Sequence, residues 1–124
     1  MSNPISYAEL HTKNAAAAKA FYGQLFDWRL KDEPMPGGTY ISIETGDAVP
    51  GGLLEADEPA GSRWLPYVQV GDLLASTAKA RKLGAQVVKE NMEVPGMGRY
   101  SVLVDPTGAS FGLWEKAGNT GKQS

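Results

Sequence analysis

Apolar and polar residues alternate along several short runs of this chain, and two longer runs repeat apolar residues every three to four positions. Alternation is typical of strands, and the longer spacing is typical of helices. The first half predicts a strand, a helix and three strands, over residues 5–12, about 15–26, 28–31, 39–45 and 49–55. The second half predicts the same order over residues 64–70, 73–83, 86–89, 99–104 and 109–115.

Capping residues and turn residues separate these elements. Asn14 and Asp72 precede the two helices, and each side chain is expected to accept a free N–H of the first turn. Gly84 is expected to end the second helix, because glycine adopts the left-handed conformation without a Cβ clash. Turns are predicted at Pro34–Gly38 and at Gly46–Asp47, and Pro50, Gly51 and Gly52 indicate an edge strand or a bulge.

Each helix is expected to contact a core through one stripe of its surface. In the first helix the predicted stripe consists of Ala18, Phe21, Tyr22 and Leu25. In the second helix the predicted face consists of Leu74, Thr77, Ala78 and Arg81.

The two halves are copies of one pattern. Residues 7–14 and 65–72 align at an offset of 58 residues. Because one such unit cannot bury its own apolar face, we expect two modules to pair within a single domain over residues 1–124 and to leave a concave space between them. The predicted divisions are module one over about 5–56, a linker over about 57–63, module two over about 64–116, and a flexible tail over 117–124.

Composition excludes several classes of function. Hydrophobic residues make up 42% and charged residues 21%, which is typical of a globular domain. The net charge of -2 argues against a nucleic-acid partner, and the absence of cysteine excludes disulfides and thiolate chemistry. No apolar run approaches the roughly 20 residues of a membrane span, and the N-terminus shows no secretion signal. We therefore expect a cytoplasmic protein without a membrane partner.

Four segments, taken in order, resemble the vicinal oxygen chelate superfamily, which includes glyoxalase I, extradiol dioxygenases and bleomycin-resistance proteins. The segments are Glu9–Thr12, Phe21–Trp28, Trp64–Val68 and Asp105–Trp114. The resemblance covers about residues 5–116 and implies an α+β fold, in which two βαβββ modules form an incomplete, U-shaped barrel around a cavity. One departure is Asp27, where the family usually has glycine; aspartate is expected to tolerate the left-handed conformation there.

The resemblance also implies where a metal would be held. In metal-dependent members the ligands come from the first and last strands of each module, and the matching positions here are Tyr7, Leu65, Gly112 and the segment Gly51–Leu53. Zinc, nickel and iron sites need three or four imidazole or carboxylate ligands. We therefore predict no metal site, no cofactor and no metal-dependent activity of the glyoxalase I type.

Glu9 and His11 leave a second possibility open, because they share one face of the first strand with Tyr7. They are close enough to form an acid–base pair, with a histidine that titrates near neutral pH. The alternative is that His11 is a strand-end residue that is solvated or bonded to the backbone. A buried Glu9 needs a partner, which could be Arg99, His11 or a ligand.

If Tyr7 faces the cavity, alternate residues of the neighbouring strands should face it too. This nominates Tyr40, Ser42, Tyr67, Gln69 and Trp114 as ligand-binding residues. The opposite faces, with Ile41, Ile43, Phe111 and Leu113, should form the core. Arg99 is a further candidate ligand-binding residue, because its guanidinium could pair with an anion. It follows the segment Pro95–Gly98, which is either a lid over the pocket or an ordinary hairpin turn with a solvated arginine.

Three functions compete on these observations. The first is a metal-free protein that binds a small organic molecule in the cavity. The second is a lyase or isomerase of glyoxalase type with a non-standard site that uses Glu9 and His11. The third is an interaction module with a filled cavity. The resemblance also implies a homodimer, because two-module members commonly dimerise.

Overall fold

The structure, a computed structural model, describes residues 3–35, 38–46, 49–56 and 61–118. Eight strands and two helices follow one another in these residues as βαβββ twice. The elements are β1 (Ile5–Thr12), α1 (Ala15–Leu25), β2 (Arg29–Met35), β3 (Gly38–Glu44), β4 (Gly51–Glu55), β5 (Arg63–Gln69), α2 (Leu73–Lys82), β6 (Gln86–Val94), β7 (Gly98–Val104) and β8 (Ser110–Lys116). The predicted α+β class and the repeated order are confirmed.

The first of two compact units comprises Ser6–Pro66. Its strands lie in the order β2-β3-β4-β1, with β1 parallel to β4 and the other neighbours antiparallel. The buried side chains Leu10, Ile41, Ile43 and Leu53 form its core. The helix α1 covers this core with small and aromatic side chains, which are Ala15, Ala18 and Tyr22.

The second unit runs from Tyr67 onward and includes the N-terminal residues through Ile5. Its strands lie in the order β5-β8-β7-β6, with β5 parallel to β8 and the other neighbours antiparallel. Its core consists of Val70, Leu73, Leu103 and Leu113, with Phe111 packed against them. The predicted core residues Ile41, Ile43, Leu113 and Phe111 are thus found in the two cores.

Both predicted helix caps are present. Asn14 Oδ1 accepts the N–H of Ala17 at 3.0 Å, and Asp72 Oδ1 accepts the N–H of Ala75 at 3.0 Å. Gly84 follows α2 with a φ of 108°, as predicted from the freedom of glycine in the left-handed region. The helix starts and the end of α2 are therefore fixed by local sequence.

The predicted helix faces were partly wrong. Phe21 and Leu25 are 57% and 56% exposed, although both were assigned to the apolar stripe of α1. The other two residues of the predicted stripe, Ala18 and Tyr22, do pack against the core, and Ala15 packs there with them. In α2 the buried residues are Leu73 and Thr77, whereas Leu74 is 58% exposed. Arg81 is exposed as well, where its guanidinium bonds Glu90 at 2.9 Å.

Three strand predictions also need correction. Pro34 lies inside β2 and not in a turn, which is permitted because β2 is at the edge of the sheet of the first unit. The strand β4 begins after Pro50 and lies between β3 and β1, so Gly51 and Gly52 are not on an edge. The strand β6 extends to Val94 through two register shifts, and Asn91 adopts a φ of 54° within it.

Asp27 does not adopt the expected left-handed conformation. The chain leaves α1 through Phe26, whose φ of -122° is extended, and Asn91 is the one non-glycine residue with positive φ in the described part of the chain. Position 27 therefore does not require a residue that tolerates the left-handed conformation. The predicted turn residues at 36–37 and 47, the linker residues 57–60 and the tail residues 119–124 lie outside the described residues. Within the described ranges, neither helix has the length and apolar character needed to cross a bilayer.

Candidate functional site

One face of β1 carries a chain of hydrogen bonds through four side chains of the first unit. The hydroxyl groups of Tyr7 and Tyr40 bond each other. The Tyr40 hydroxyl donates to Glu9 Oε2 at 2.9 Å. The second carboxylate oxygen, Glu9 Oε1, lies 2.8 Å from His11 Nε2. We call these four residues, two phenols, a carboxylate and an imidazole, the β1 network.

The alternation of β1 explains why three of these residues meet. Successive side chains of a strand point to opposite faces, so Tyr7, Glu9 and His11 share one face. The opposite face buries Leu10 and Thr12, which are 5% and 6% exposed. Because a shift of one position would reverse both faces, burial of Leu10 in the core fixes the side on which the network lies.

Tyr40 reaches the network from β3 by crossing β4, the strand between β3 and β1. It crosses at Gly52, which is paired in register with Glu9 of β1 and with Ser42 of β3. A Cβ atom on Gly52 would overlap the Tyr40 hydroxyl and lie 2.5 Å from the Tyr7 hydroxyl oxygen. The missing side chain of Gly52 thus provides the space in which the two phenols bond.

The β1 network is largely shielded from solvent. The His11 and Glu9 side chains are 13% and 15% exposed. Burial raises the pKa of Tyr7 to about 12, and the charge of Glu9 adds to this effect. Burial first and the Glu9 charge second raise the pKa of Tyr40 well above its ordinary value. Both phenols are therefore neutral at physiological pH.

Ser42 lies in the same unit but does not bond to the network. Its hydroxyl donates to Glu33 Oε2 at 3.2 Å and to the Lys31 carbonyl oxygen at 3.4 Å. These acceptors belong to β2, on the other side of β3 from β4. Ser42 is consequently held toward β2.

In the second unit, the Tyr67 ring lies against Gly112, much as the Tyr40 side chain lies against Gly52 in the first unit. The two residues are paired in register between β5 and β8, and a Cβ on Gly112 would overlap the Tyr67 ring. The Tyr67 ring packs edge-to-face on Tyr100 with centroids 6.0 Å apart. Gln69 and Trp114 are paired two positions further along the same two strands, and both are half-buried.

Arg99 lies beside the tight turn that joins β6 to β7. Its Nε donates to Asn91 Oδ1 at 2.6 Å, and its guanidinium is half-buried. The segment after Val94 is a compact hairpin turn, in which the Met97 N–H bonds the Val94 carbonyl oxygen at 2.9 Å. A small cavity of about 150 Å³ lies here, lined by Glu93, Val94, Gly96, Gly98, Arg99, Glu115, Lys116 and Ala117.

The residues at the metal-ligand positions implied by the resemblance do not fit a divalent metal. Leu65 is fully buried, Gly52 lies against two phenols, and Gly112 lies against a tyrosine ring. Glu9 and His11 together offer one carboxylate and one imidazole, whereas such sites use three or four ligands. Within the described ranges, no group of three or more histidine, aspartate or glutamate side chains is arranged to hold a metal.

Sequence reasoning missed a cluster of aromatic rings that we call the aromatic surface. Its members are Phe21, Tyr22, Phe26, Trp28 and Trp64. Tyr22 is central, and its ring centroid lies 5.0 to 6.4 Å from those of the other four. The dense aromatic segment Phe21–Trp28 was a signal for part of it, but the contribution of Trp64 depends on tertiary structure.

A family model described as a glyoxalase-like domain matches residues 8–114 of this chain. Among curated proteins, the putative glyoxylase CFP32 of Mycobacterium tuberculosis is 37% identical over 119 residues, which cover 89% of this chain and 44% of that protein. The anthracycline biosynthesis protein DnrV of Streptomyces peucetius is 29% identical over 127 residues, which cover 90% of this chain and 46% of that protein. The chain thus spans about half the length of the curated relatives it matches.

A solved structure of methylmalonyl-CoA epimerase from Mycobacterium tuberculosis has the same fold. It superposes with a TM-score of 0.68 at 18% sequence identity and covers 90% of this chain and 87% of the epimerase. At this identity the likeness concerns the fold alone.

Proposed function

Because this chain belongs to the glyoxalase-like family within the vicinal oxygen chelate superfamily, we propose that it binds a small organic molecule beside the β1 network without a divalent metal. The observation that carries this proposal is the continuous set of bonds from Tyr7 through Tyr40 to Glu9 and His11. Such a set of fixed polar groups, mostly shielded from water, is how binding sites orient a small ligand.

The residues at two metal-ligand positions implied by the resemblance, Gly52 and Gly112, support a metal-free site. A side chain at Gly52 would collide with Tyr40, and one at Gly112 would collide with Tyr67. A carboxylate could occupy either position only if the tyrosine ring moved. The chain therefore uses neutral phenols, where metal-dependent relatives are expected to offer carboxylates.

The aromatic character of the predicted lining residues favours a flat or amphipathic ligand. Within the first unit, the rings of Tyr7 and Tyr40 can stack on a flat ligand, and Glu9 and His11 can bond its polar groups. One relative, DnrV, is named as an anthracycline biosynthesis protein. From the aromatic rings of the site, we propose a planar organic ligand for this chain.

A titration of labelled protein with a library of small aromatic compounds, followed by NMR, tests this proposal. We expect binders to shift the ring resonances of Tyr7 and Tyr40, and we expect Tyr7→Phe to weaken them at least tenfold, since one hydrogen bond to a buried site is lost. Tyr22→Phe is the matched control, because its hydroxyl belongs to the aromatic surface. Binding confined to residues outside the β1 network, or no binding at all, would contradict the proposal.

A second candidate is proton-transfer chemistry of the isomerase or lyase type. The contact of 2.8 Å between Glu9 Oε1 and His11 Nε2 favours this candidate, because a proton can pass directly between the two groups. Both side chains are also shielded from solvent. In an isomerisation, the Glu9 carboxylate would take a proton from a substrate carbon, and the His11 imidazolium would return a proton to the substrate. Transfer of the proton from Glu9 to His11 through their direct bond would restore both groups.

This candidate makes a separate prediction in heavy water. Carbonyl compounds with an exchangeable α-proton should incorporate deuterium in the presence of the protein, and Glu9→Gln should slow the exchange by about a hundredfold or more. The Tyr22→Phe protein should exchange at the wild-type rate. If the wild type produces no exchange above the buffer rate, binding without catalysis remains the function.

A further inference from the structure

We propose that the exposed face of α1 is an interaction surface, and that its partner is the α1 helix of a second copy of this chain, packed antiparallel about a two-fold axis. The contact is centred on Phe21 and Leu25. These side chains are 57% and 56% exposed, although both are large and apolar. A helix that faces water carries polar and charged residues on its outer face, so the outer face of α1 is unusual.

The helix α2 holds the equivalent place in the second half of the repeat and provides an internal comparison. At the offset of 58 residues, positions 21, 23 and 24 of α1 correspond to positions 79, 81 and 82 of α2. The α1 residues are phenylalanine, glycine and glutamine, whereas the α2 residues are Lys79, Arg81 and Lys82, all of them exposed. The outer face of α2 is therefore suited to water, and that of α1 is suited to an apolar partner.

The exposed face of α1 continues into the aromatic surface. Phe21 packs edge-to-face on Tyr22, and Tyr22 connects it to Phe26 and Trp64, which are 43% and 40% exposed. The three exposed rings together offer about 300 Å² per copy, since an aromatic side chain has about 150–250 Å² of surface. Two such faces, with Leu25 added to each, reach the low end of the sizes of specific interfaces, so we expect a reversible dimer.

An open hollow on this face has room for a side chain of the second copy. It measures about 350 Å³ and is lined by Phe21, Gln24 and Leu25. A cavity of about 150 Å³ is large enough to bind benzene, so the hollow can take the ring of a phenylalanine. Under two-fold symmetry the contact forms twice, with the Phe21 ring of each copy in the hollow of the other.

The charges of α1 favour a second copy as the occupant. Lys19 is the one charged residue of this helix, and it bonds Asp32 at 2.9 Å, so two copies meet without repulsion between net charges. The first turn has no acidic residue and the last turn has no basic residue. The helix therefore does not offset the partial charges at its own ends. An antiparallel α1 offsets them at both ends, because it brings a negative C-terminus beside each positive N-terminus.

Sedimentation velocity of the full chain at increasing concentration tests the proposal, with two leucine variants of matched exposure. We expect the wild type to show a monomer–dimer equilibrium. Leu25→Lys should raise the dissociation constant of the dimer at least tenfold, because it places a charge inside the contact. Leu74→Lys introduces the same charge at a residue of α2 that is 58% exposed, and it should leave the constant within twofold of the wild type.

Cysteine cross-linking locates the contact even if Leu25→Lys fails to fold. The chain has no cysteine, so Ala20→Cys and Ala78→Cys each introduce a single thiol. These two alanines are equivalent at the offset of 58 residues, and both are exposed. A short bismaleimide should link two Ala20→Cys chains and leave Ala78→Cys chains unlinked.

A wild type that stays monomeric at its highest soluble concentration would overturn the proposal. A dimer that Leu25→Lys and Leu74→Lys weaken equally, or that is linked through position 78 alone, would overturn it as well, since its interface would lie elsewhere. A monomer in which small aromatic compounds shift the ring resonances of Phe21 would show that this face binds a ligand and would exclude the second copy as its occupant.

Discussion

Gly52 must be glycine because of its neighbours and not because of its backbone. It is absent from the residues with positive φ, so its conformation is open to any residue. The restriction comes from the Tyr40 hydroxyl, which lies where a Cβ would be. Because Gly52 has no Cβ, the Tyr40 side chain of β3 can reach the Glu9 carboxylate on β1.

Gly52→Ala is predicted to destabilise the protein by about 1–3 kcal/mol, because an added methyl group overpacks the contact and displaces Tyr40 from Glu9. Urea unfolding measures the loss, and the ring resonances of Tyr40 should move. The control is Gly23→Ala in α1, where a Cβ would have its nearest neighbour at 3.9 Å. We expect Gly23→Ala to stabilise the helix by about 0.5–1 kcal/mol. Equal stabilities of the two variants would refute the steric argument.

Tyr7 should make stability depend on alkaline pH. Its pKa is raised from 10.0 to about 12 in the folded protein, so folding favours the protonated phenol. The stabilisation is complete below pH 10 and is lost as the pH rises toward 12. The free energy of unfolding should thus fall more steeply between pH 10 and 12 in the wild type than in Tyr7→Phe. Parallel curves for the two proteins would show that Tyr7 titrates as an ordinary phenol.

Local sequence was sufficient to place some of these side chains and insufficient for others. Alternation along β1 puts Tyr7, Glu9 and His11 on one face without knowledge of the fold. The bond between Tyr40 and Glu9 depends on the strand order β3-β4-β1, and on the space above Gly52. Neither can be read from one strand, so the bond could not be predicted.

At the scale of elements, the helix starts were predictable and the buried faces were less so. Asn14 and Asp72 act on their own first turns, so each cap depends on three or four residues. The face that a helix buries depends on how it rests on the sheet. In α2, Leu73 and Leu74 are adjacent and equally apolar, and only the packing against Val70, Leu103 and Leu113 selects Leu73.

These two leucines provide a matched test of the packing. Leu73 is 1% exposed and Leu74 is 58% exposed. Leu73→Ala is predicted to lower the free energy of unfolding by about 2–5 kcal/mol, because it removes buried methyl groups and leaves a cavity. Leu74→Ala should change it by less than about 0.5 kcal/mol. Chemical unfolding of both variants checks the difference, and a larger loss for Leu74→Ala would reverse the assigned face.

At the scale of the whole molecule, the repeated βαβββ order carries two similar pairs of residues. A tyrosine lies against a glycine in each unit, Tyr40 against Gly52 and Tyr67 against Gly112. The repeat itself was evident from the sequence, because capping residues and alternating runs recur at a fixed offset. The contact between each tyrosine and its glycine was not evident, since it joins residues that are far apart along the chain.

Removal of metal is predicted to leave the stability of the whole molecule unchanged. A ligand that binds only the folded state raises the melting temperature, so loss of a bound metal would lower it. We expect the melting temperature in EDTA to match that in buffer within about 1 °C, and added nickel or zinc at 100 μM to leave it unchanged. A fall of several degrees in EDTA that is reversed by excess metal would establish a metal site and overturn the metal-free proposal.

The aromatic surface gives the first unit its own optical signature. Two of the three tryptophans, Trp28 and Trp64, have ring centroids 6.5 Å apart and an angle of 80° between their planes. The electronic transitions of two indoles this close couple with each other, and the coupling produces an exciton couplet in circular dichroism. Loss of that couplet reports the separation of α1 and β2 from β5, independently of the emission of Trp114. Unfolding of the first unit can thus be followed by spectroscopy without an introduced label.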